Sequence, residues 1–150
     1  MAPDYYCMDG TIPRGKLANV LKEIGRLSKK YNLPVANAFH AGDGNLHPSI
    51  LFDERKPGDT KKVLAIGAEI LRICVEAGGV LSGEHGIGLE KQDQMPLMFT
   101  DEDMAAMALL KIAFETEDVF NPGKVFPTGA ACGDISQARA IARVGPGAYI

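Results

Sequence analysis

The stretch LPVANAFHAGDGNLHPSILF, residues 33–52, decides the fold because it holds two extended runs joined by one turn. In the first run, larger apolar side chains alternate with small or polar ones, as in a strand with one buried face. The second run, residues 45–52, follows an Asp-Gly pair at 43–44, which is typical of two-residue hairpin loops. We therefore predict an antiparallel β-hairpin over residues 33–52.

Amphipathic helices flank this hairpin. Residues 12–31 and 61–77 each carry apolar side chains at helical spacing, and the second run ends at Gly-Gly before a short extended segment, residues 80–82. With a further strand over residues 5–9, the order becomes βαββαβ. The expected class is therefore α+β, with a ferredoxin-like (split βαβ) antiparallel sheet and helices on one of its faces.

A third helix is predicted beyond Thr100, because Thr100 and Asp103 resemble a capping box. Its apolar positions, such as Met104 and Phe114, are interpreted as core packing rather than as a cofactor contact. Residues 134–144 are expected to form a short helix or a frayed tail. We expect one domain over residues 1–127 and a C-terminal tail over residues 128–150.

Charge and composition exclude several functional classes. Sixteen basic and nineteen acidic residues give a net charge of -3, which argues against a nucleic-acid partner. No run approaches the roughly 20 apolar residues of a membrane-spanning helix, and the first residues lack a signal-peptide pattern, so we expect residence in the cytoplasm. Three cysteines without a CxxC pair indicate neither a disulfide framework nor an iron–sulfur cluster.

All three histidines fall in two short segments, residues 40–47 and 82–86. If the loop has two residues, His40 pairs directly opposite His47, with their Cβ atoms about 4.5–5.5 Å apart. Two imidazoles so placed form half of a zinc-type site, and such sites accept a carboxylate as the third ligand. Glu84 is the candidate carboxylate.

Simpler interpretations of the same residues stay open. The two hairpin histidines could serve only as hydrogen-bonding caps of the turn, and Glu84 and His85 could be solvated loop residues. The segment Asn121-Pro-Gly first indicates a turn.

Three motifs together resemble a known family. HAGDGNLH (40–47), SGEHGIG (82–88) and NPGKVFP (121–127), in this order, are similar to the C-terminal domain of FAD-linked oxidases, which include D-lactate and D-2-hydroxyglutarate dehydrogenases. The stretch up to residue 127 most resembles the flavin subunits of bacterial glycolate oxidases. The resemblance implies a flavoenzyme of the vanillyl-alcohol-oxidase fold, in which this domain covers the flavin and completes the substrate site.

The resemblance also implies roles for individual residues. His40, His47 and Glu84 match the ligands of a divalent metal, which could be zinc, manganese or iron. His85 matches the active-site histidine, which acts as the catalytic base beside the cofactor, and Asn121 matches a position near the flavin. The implied reaction oxidises a small 2-hydroxy acid to a 2-oxo acid, with hydride transfer to FAD.

Partners follow from the same resemblance. An N-terminal domain is expected to hold most of the FAD, so we expect the isolated chain to be inactive. The resemblance also implies an iron–sulfur subunit, a second subunit resembling the flavin domain, and peripheral association at the inner membrane. Two alternatives remain: a non-catalytic metal-binding or interaction module, and a metallohydrolase that uses the same three ligands.

Overall fold

The computed structural model describes residues 2–115, 117 and 119–127. The predicted tail over residues 128–150, with its predicted helix at 134–144, lies outside the described residues. The chain divides into two compact units, with the boundary between Gly86 and Ile87.

The first unit is built on an antiparallel sheet. Its strands are β1 (Asp4–Cys7), β2 (Gly10–Thr11), β3 (Val35–His40) and β4 (Asn45–Phe52). Strand β4 pairs with β3 on one side and with both β1 and β2 on the other. A single bridge between Thr11 and Val80 adds the far edge.

This arrangement confirms the predicted α+β class, and the spatial order of the pairings is that of a split βαβ sheet. Two strand predictions were too long. The first strand ends at Cys7, before a separate two-residue strand, and the last is reduced to the bridge at Val80.

Two helices complete the first unit. A 3-10 turn at Arg14–Lys16 leads into α1 (Leu17–Tyr31), and α2 (Asp59–Glu76) follows the hairpin. The helices contact each other, and they contact β3 and β4 respectively. The core between these elements includes the buried side chains of Val20, Ile24, Leu27, Leu46, Ile50, Val63, Ile66, Ile70, Leu71 and Cys74.

The hairpin register differs from the prediction. In the structure Ala38 pairs with His47 and His40 pairs with Asn45, so the expected direct pairing of His40 with His47 is wrong. Four residues, not two, form the loop, and the His40 carbonyl accepts hydrogen bonds from the amides of Asp43 and Gly44, both at 3.0 Å.

Backbone conformation explains the longer loop. A two-residue type I′ turn needs positive φ at both central residues, whereas here Gly44 has a φ of 77° and Asp43 has no positive φ. The Gly44 carbonyl also accepts a hydrogen bond of 2.9 Å from the Ile12 amide. Because side chains alternate with a period of two, a register shift of two residues leaves His40 and His47 on the same sheet face.

The second unit contains a 3-10 helix (Gln92–Leu97) and α3 (Asp101–Phe114). The predicted capping box is confirmed: Thr100 Oγ1 accepts from the Asp103 amide at 3.2 Å, and Asp103 Oδ2 accepts from the Thr100 amide at 2.9 Å. These hydrogen bonds lower the pKa of the Asp103 carboxyl.

The core assignment in α3 holds for Met104, which is buried, but is wrong for Phe114, which is 90% exposed. Phe114 lies in the last turn, beyond the buried part of the helix. There it lines an apolar cleft of about 690 Å³ together with Met107, Phe120 and Phe126. Within the part of the chain that the structure describes, no helix combines the length and apolarity needed to cross a membrane.

Candidate functional site

Three side chains converge beside the hairpin, on the sheet face opposite the helices. His40 Nε2 lies 3.4 Å from Glu84 Oε1, and His47 Nε2 lies 3.7 Å from Glu84 Oε2. The two imidazole rings meet edge to face, with their centroids 5.3 Å apart. One ligand atom from each residue lies within 4.8 Å of the other two. The structure therefore brings together the three residues that were predicted as metal ligands.

These distances can be compared with those around a metal ion. Two ligands at 2.0–2.2 Å from a tetrahedral ion lie about 3.3–3.6 Å apart, close to the observed spacing. Two imidazoles and a carboxylate form a donor set that suits zinc and neighbouring first-row ions. The side chains of His40 and Glu84 are 56% and 51% exposed, so a further coordination position would be open to a small molecule. The residues present fit a divalent ion.

The two strands position the histidines differently. His40 ends β3 and is exposed, whereas the His47 side chain in β4 is only 14% exposed. Asn45, which is buried beneath the site, places its Nδ2 atom 3.5 Å from His47 Nε2. A Cβ atom at Gly83 would lie 2.6 Å from Asn45 Oδ1, so only glycine lets the 82–86 loop approach the strand this closely.

A buried carboxylate holds this loop, and sequence reasoning did not single it out. Asp9 lies between β1 and β2 and is fully buried. Its Oδ2 atom accepts hydrogen bonds from Ser82 Oγ at 2.6 Å and from the His85 amide at 2.8 Å. Its Oδ1 atom accepts from the amides of Gly83 and Glu84, both at 3.2 Å. The only signal in the sequence is that Asp9 is the acidic residue at the end of the predicted strand 5–9. The hydrogen-bond partners of Asp9 follow 73 to 76 residues later in the chain.

His85 lies beside the same cluster. Its ring stacks on that of His47, with centroids 5.2 Å apart and an interplanar angle of 23°. Asp9, His47 and His85 form a second group whose ligand atoms lie within 4.8 Å of one another. The predicted base is thus adjacent to the predicted ligands.

Asn121 belongs to the second unit. It forms the predicted turn, with a φ of 51°, and its Oδ1 atom accepts a hydrogen bond of 2.9 Å from Lys124 Nζ. Asn121 also lines the apolar cleft of that unit.

Comparison with known proteins identifies the family. Residues 2–125 match the family described as FAD linked oxidases, C-terminal domain. The chain belongs to this family. It is 52% identical over 134 residues to the glycolate oxidase subunit GlcD of Escherichia coli (strain K12) and 37% identical over 130 residues to that of Bacillus subtilis (strain 168). A D-lactate dehydrogenase of Archaeoglobus fulgidus is 34% identical over 118 residues.

These matches cover 89%, 87% and 79% of this chain. They cover 27%, 28% and 26% of the relatives, so this FAD-linked oxidase C-terminal domain spans about a quarter of their length. The resemblance inferred from the three motifs is confirmed.

Proposed function

We propose that the chain is the substrate- and flavin-capping domain of an FAD-dependent oxidoreductase that converts a 2-hydroxy acid to a 2-oxo acid. The observation that carries this proposal is the convergence of His40, His47 and Glu84 beside His85, in a chain of the FAD-linked oxidase family. The names of the relatives, glycolate oxidase subunit and D-lactate dehydrogenase, support small 2-hydroxy acids as the substrate class.

We assign His40, His47 and Glu84 as the ligands of a divalent ion. A carboxylate ligand complements the charge of a dication, and ligation requires the two imidazoles in their neutral form. When bound, the ion would supply Lewis acidity toward the hydroxyl and carboxylate oxygens of the substrate. The exposed side of the cluster, at His40 and Glu84, is where a substrate would approach.

His85 is the proposed base. An imidazole nitrogen of His85 takes the hydroxyl proton of the substrate, while bound FAD would accept the hydride from the adjacent carbon. Loss of one proton and one hydride converts the 2-hydroxy acid to the 2-oxo acid. Stacking on His47 places His85 next to the ligand cluster, so the base and the ion would act on the same hydroxyl group.

The flavin side of the proposal involves a partner. The family name implies FAD, which an N-terminal FAD-binding domain would hold, with Asn121 near the flavin and residues 1–127 as the capping domain. We further propose that the complete complex contains an iron–sulfur subunit and a second subunit resembling the flavin domain. This complex would associate peripherally with the inner membrane.

Metal binding can be tested on the chain as it stands. Calorimetric titration of metal-free protein with Zn²⁺ and with Mn²⁺ is expected to show one ion per chain. His47→Ala and Glu84→Gln should each weaken binding about tenfold or more, because each removes a ligand. Glu90→Gln is the matched control, since Glu90 is also exposed but lies outside the cluster, and it should bind as the wild type does. Equal affinities in all four proteins would refute the ligand assignment.

Catalysis needs the partner domain. The chain is co-expressed with the N-terminal part of the E. coli relative, and dye reduction by glycolate and by D-lactate is measured. His85→Asn should lower turnover about 10²–10⁴-fold while leaving Zn²⁺ affinity unchanged. Turnover of His85→Asn at the wild-type rate would remove His85 from the role of base, and a complex that binds Zn²⁺ and FAD but reduces no dye would refute the oxidase proposal.

A further inference from the structure

We propose that Asp9 is the positioning residue of this site: its buried carboxylate fixes the 82–86 loop so that Glu84 and His85 face the histidines of the hairpin. Asp9 itself does not bind the ion. This inference rests on the proposed function, because it assigns the residue that orders the proposed ligand and the proposed base.

Three consecutive amides point at one carboxylate. The N–H groups of Gly83, Glu84 and His85 all donate to Asp9, at 2.8–3.2 Å. Successive backbone amides that surround an anion form a strong and directional cradle, and hydrogen bonds to an ionised acceptor are about twice as strong as neutral ones. The backbone of the proposed ligand and that of the proposed base are therefore fixed by the same group.

Ser82 extends this support to the end of the loop. Its hydroxyl donates to Asp9 Oδ2 at 2.6 Å and accepts from the Gly86 amide at 2.7 Å. Residues 83 to 86 are exposed and belong to no helix or strand, so their backbone order depends on these hydrogen bonds. An exposed segment rich in glycine would otherwise present its side chains in many orientations.

The geometry also offers a competing assignment, in which Asp9 is a ligand together with His47 and His85. Two observations favour a positioning role. Both carboxylate oxygens of Asp9 already accept hydrogen bonds from the loop, and Asp9 is fully buried. The carboxylate of Glu84, by contrast, is half exposed and faces two imidazoles at once.

The test uses Asp9→Asn in the full chain. The control is Ile66→Ala, which destabilises the buried core at α2 and removes none of the hydrogen bonds between Asp9 and the loop. Zn²⁺ affinity is measured at a temperature at which circular dichroism shows each variant to be folded. Asp9→Asn should bind Zn²⁺ about 10–100-fold more weakly, the usual cost of removing a group that orients a ligand. Ile66→Ala should lower thermal stability and leave the affinity unchanged.

Amide hydrogen exchange gives a second readout that does not depend on metal. In Asp9→Asn, the amides of residues 84 and 85 should exchange about tenfold faster or more, whereas buried amides of α1 should keep their protection. Ser82→Ala, which removes one contact to the carboxylate, should show a smaller change of the same kind. This variant also serves if Asp9→Asn does not fold.

The outcomes separate the two proposals. If the wild-type chain binds no Zn²⁺ but the amides of residues 84 and 85 exchange faster in Asp9→Asn, the metal-ligand assignment is wrong. The role of Asp9 in fixing the loop then stands. Unchanged exchange and unchanged affinity in Asp9→Asn would overturn the positioning role. If His85→Asn loses as much Zn²⁺ affinity as Glu84→Gln, then Asp9, His47 and His85 are the ligands and the assignment made here is wrong.

Discussion

The hairpin loop should respond very differently to the same substitution at two of its glycines. At Gly44, φ is 77°, and an added Cβ would lie 2.1 Å from the Ile12 carbonyl oxygen. At Gly42, φ is not positive and no atom lies within 4 Å of an added Cβ. Gly44→Ala should therefore destabilise the fold, whereas Gly42→Ala should not.

The magnitude follows from two effects at Gly44. A left-handed conformation costs an alanine about 1–2 kcal/mol relative to glycine. Moving the loop away from Ile12 also weakens the hydrogen bond from the Ile12 amide to the Gly44 carbonyl, which contributes about 0.5–1.5 kcal/mol. We expect Gly44→Ala to lose about 2–3 kcal/mol. Gly42→Ala should gain about 0.4–1 kcal/mol, because alanine restricts the unfolded chain.

Urea unfolding followed by far-ultraviolet circular dichroism measures both effects, since the chain has no tryptophan to serve as a fluorescence probe. With a denaturant slope of about 1–3 kcal/mol/M, the midpoint for Gly44→Ala should fall by about 0.7–3 M. The midpoint for Gly42→Ala should stay level or rise. Equal midpoints for the two variants would refute the claim that the contact with Ile12 and the left-handed Gly44 determine the hairpin register.

Three further predictions concern other parts of the molecule. The hydrogen bond from Lys30 Nζ to Glu69, 2.7 Å long, is the largest cause of the lowered pKa of the Glu69 carboxyl. This carboxylate therefore stabilises the fold fully above its unfolded pKa of about 4.3. The stabilisation is lost as the pH falls through the lower pKa of the folded state. Below about pH 4.3, the urea midpoint of Glu69→Gln should fall less with decreasing pH than that of the wild type. Parallel pH profiles of the midpoint in the two proteins would contradict this. Gly83→Ala, which would force the loop away from the buried amide beneath it, should weaken Zn²⁺ binding about tenfold, and an unchanged titration would count against the close packing. In α3, Met104→Ala should lower the free energy of unfolding by about 2–5 kcal/mol, whereas Phe114→Ser should stay within about 0.5 kcal/mol of the wild type. The reason is that Met104 is 2% exposed and Phe114 is 90% exposed. Equal losses of stability in thermal unfolding would show that Phe114 is covered.

The local sequence pattern was sufficient to predict those elements whose structure is determined by neighbouring residues. Strand β4 has the predicted bounds, Asn45–Phe52, and from Leu46 to Leu51 its residues alternate between buried and half-buried, a period of two that the sequence itself carries. The capping box at Thr100 is equally local, since both of its hydrogen bonds join residues three apart. The three motifs were likewise enough to recognise the family, because a motif depends on residue identity and order.

Two features of the site could not be obtained in this way. The hairpin loop, residues 41–44, has four residues because Gly44 contacts Ile12. The Asp-Gly pair in the sequence does not reveal this contact. Asp9 supports Glu84 and His85 across more than seventy residues of sequence, and nothing beside Asp9 in the chain indicates its partners.

The sequence by itself therefore determined the class of fold and the family, since these follow from periodicity and from the order of residues. It named the hairpin histidines and Glu84 as candidates, and the structure showed that they cluster. Only the tertiary structure decided the hairpin register and the anchoring of the loop. Both depend on hydrogen bonds and close contacts between segments that are distant in sequence, and such contacts form only when the chain has folded.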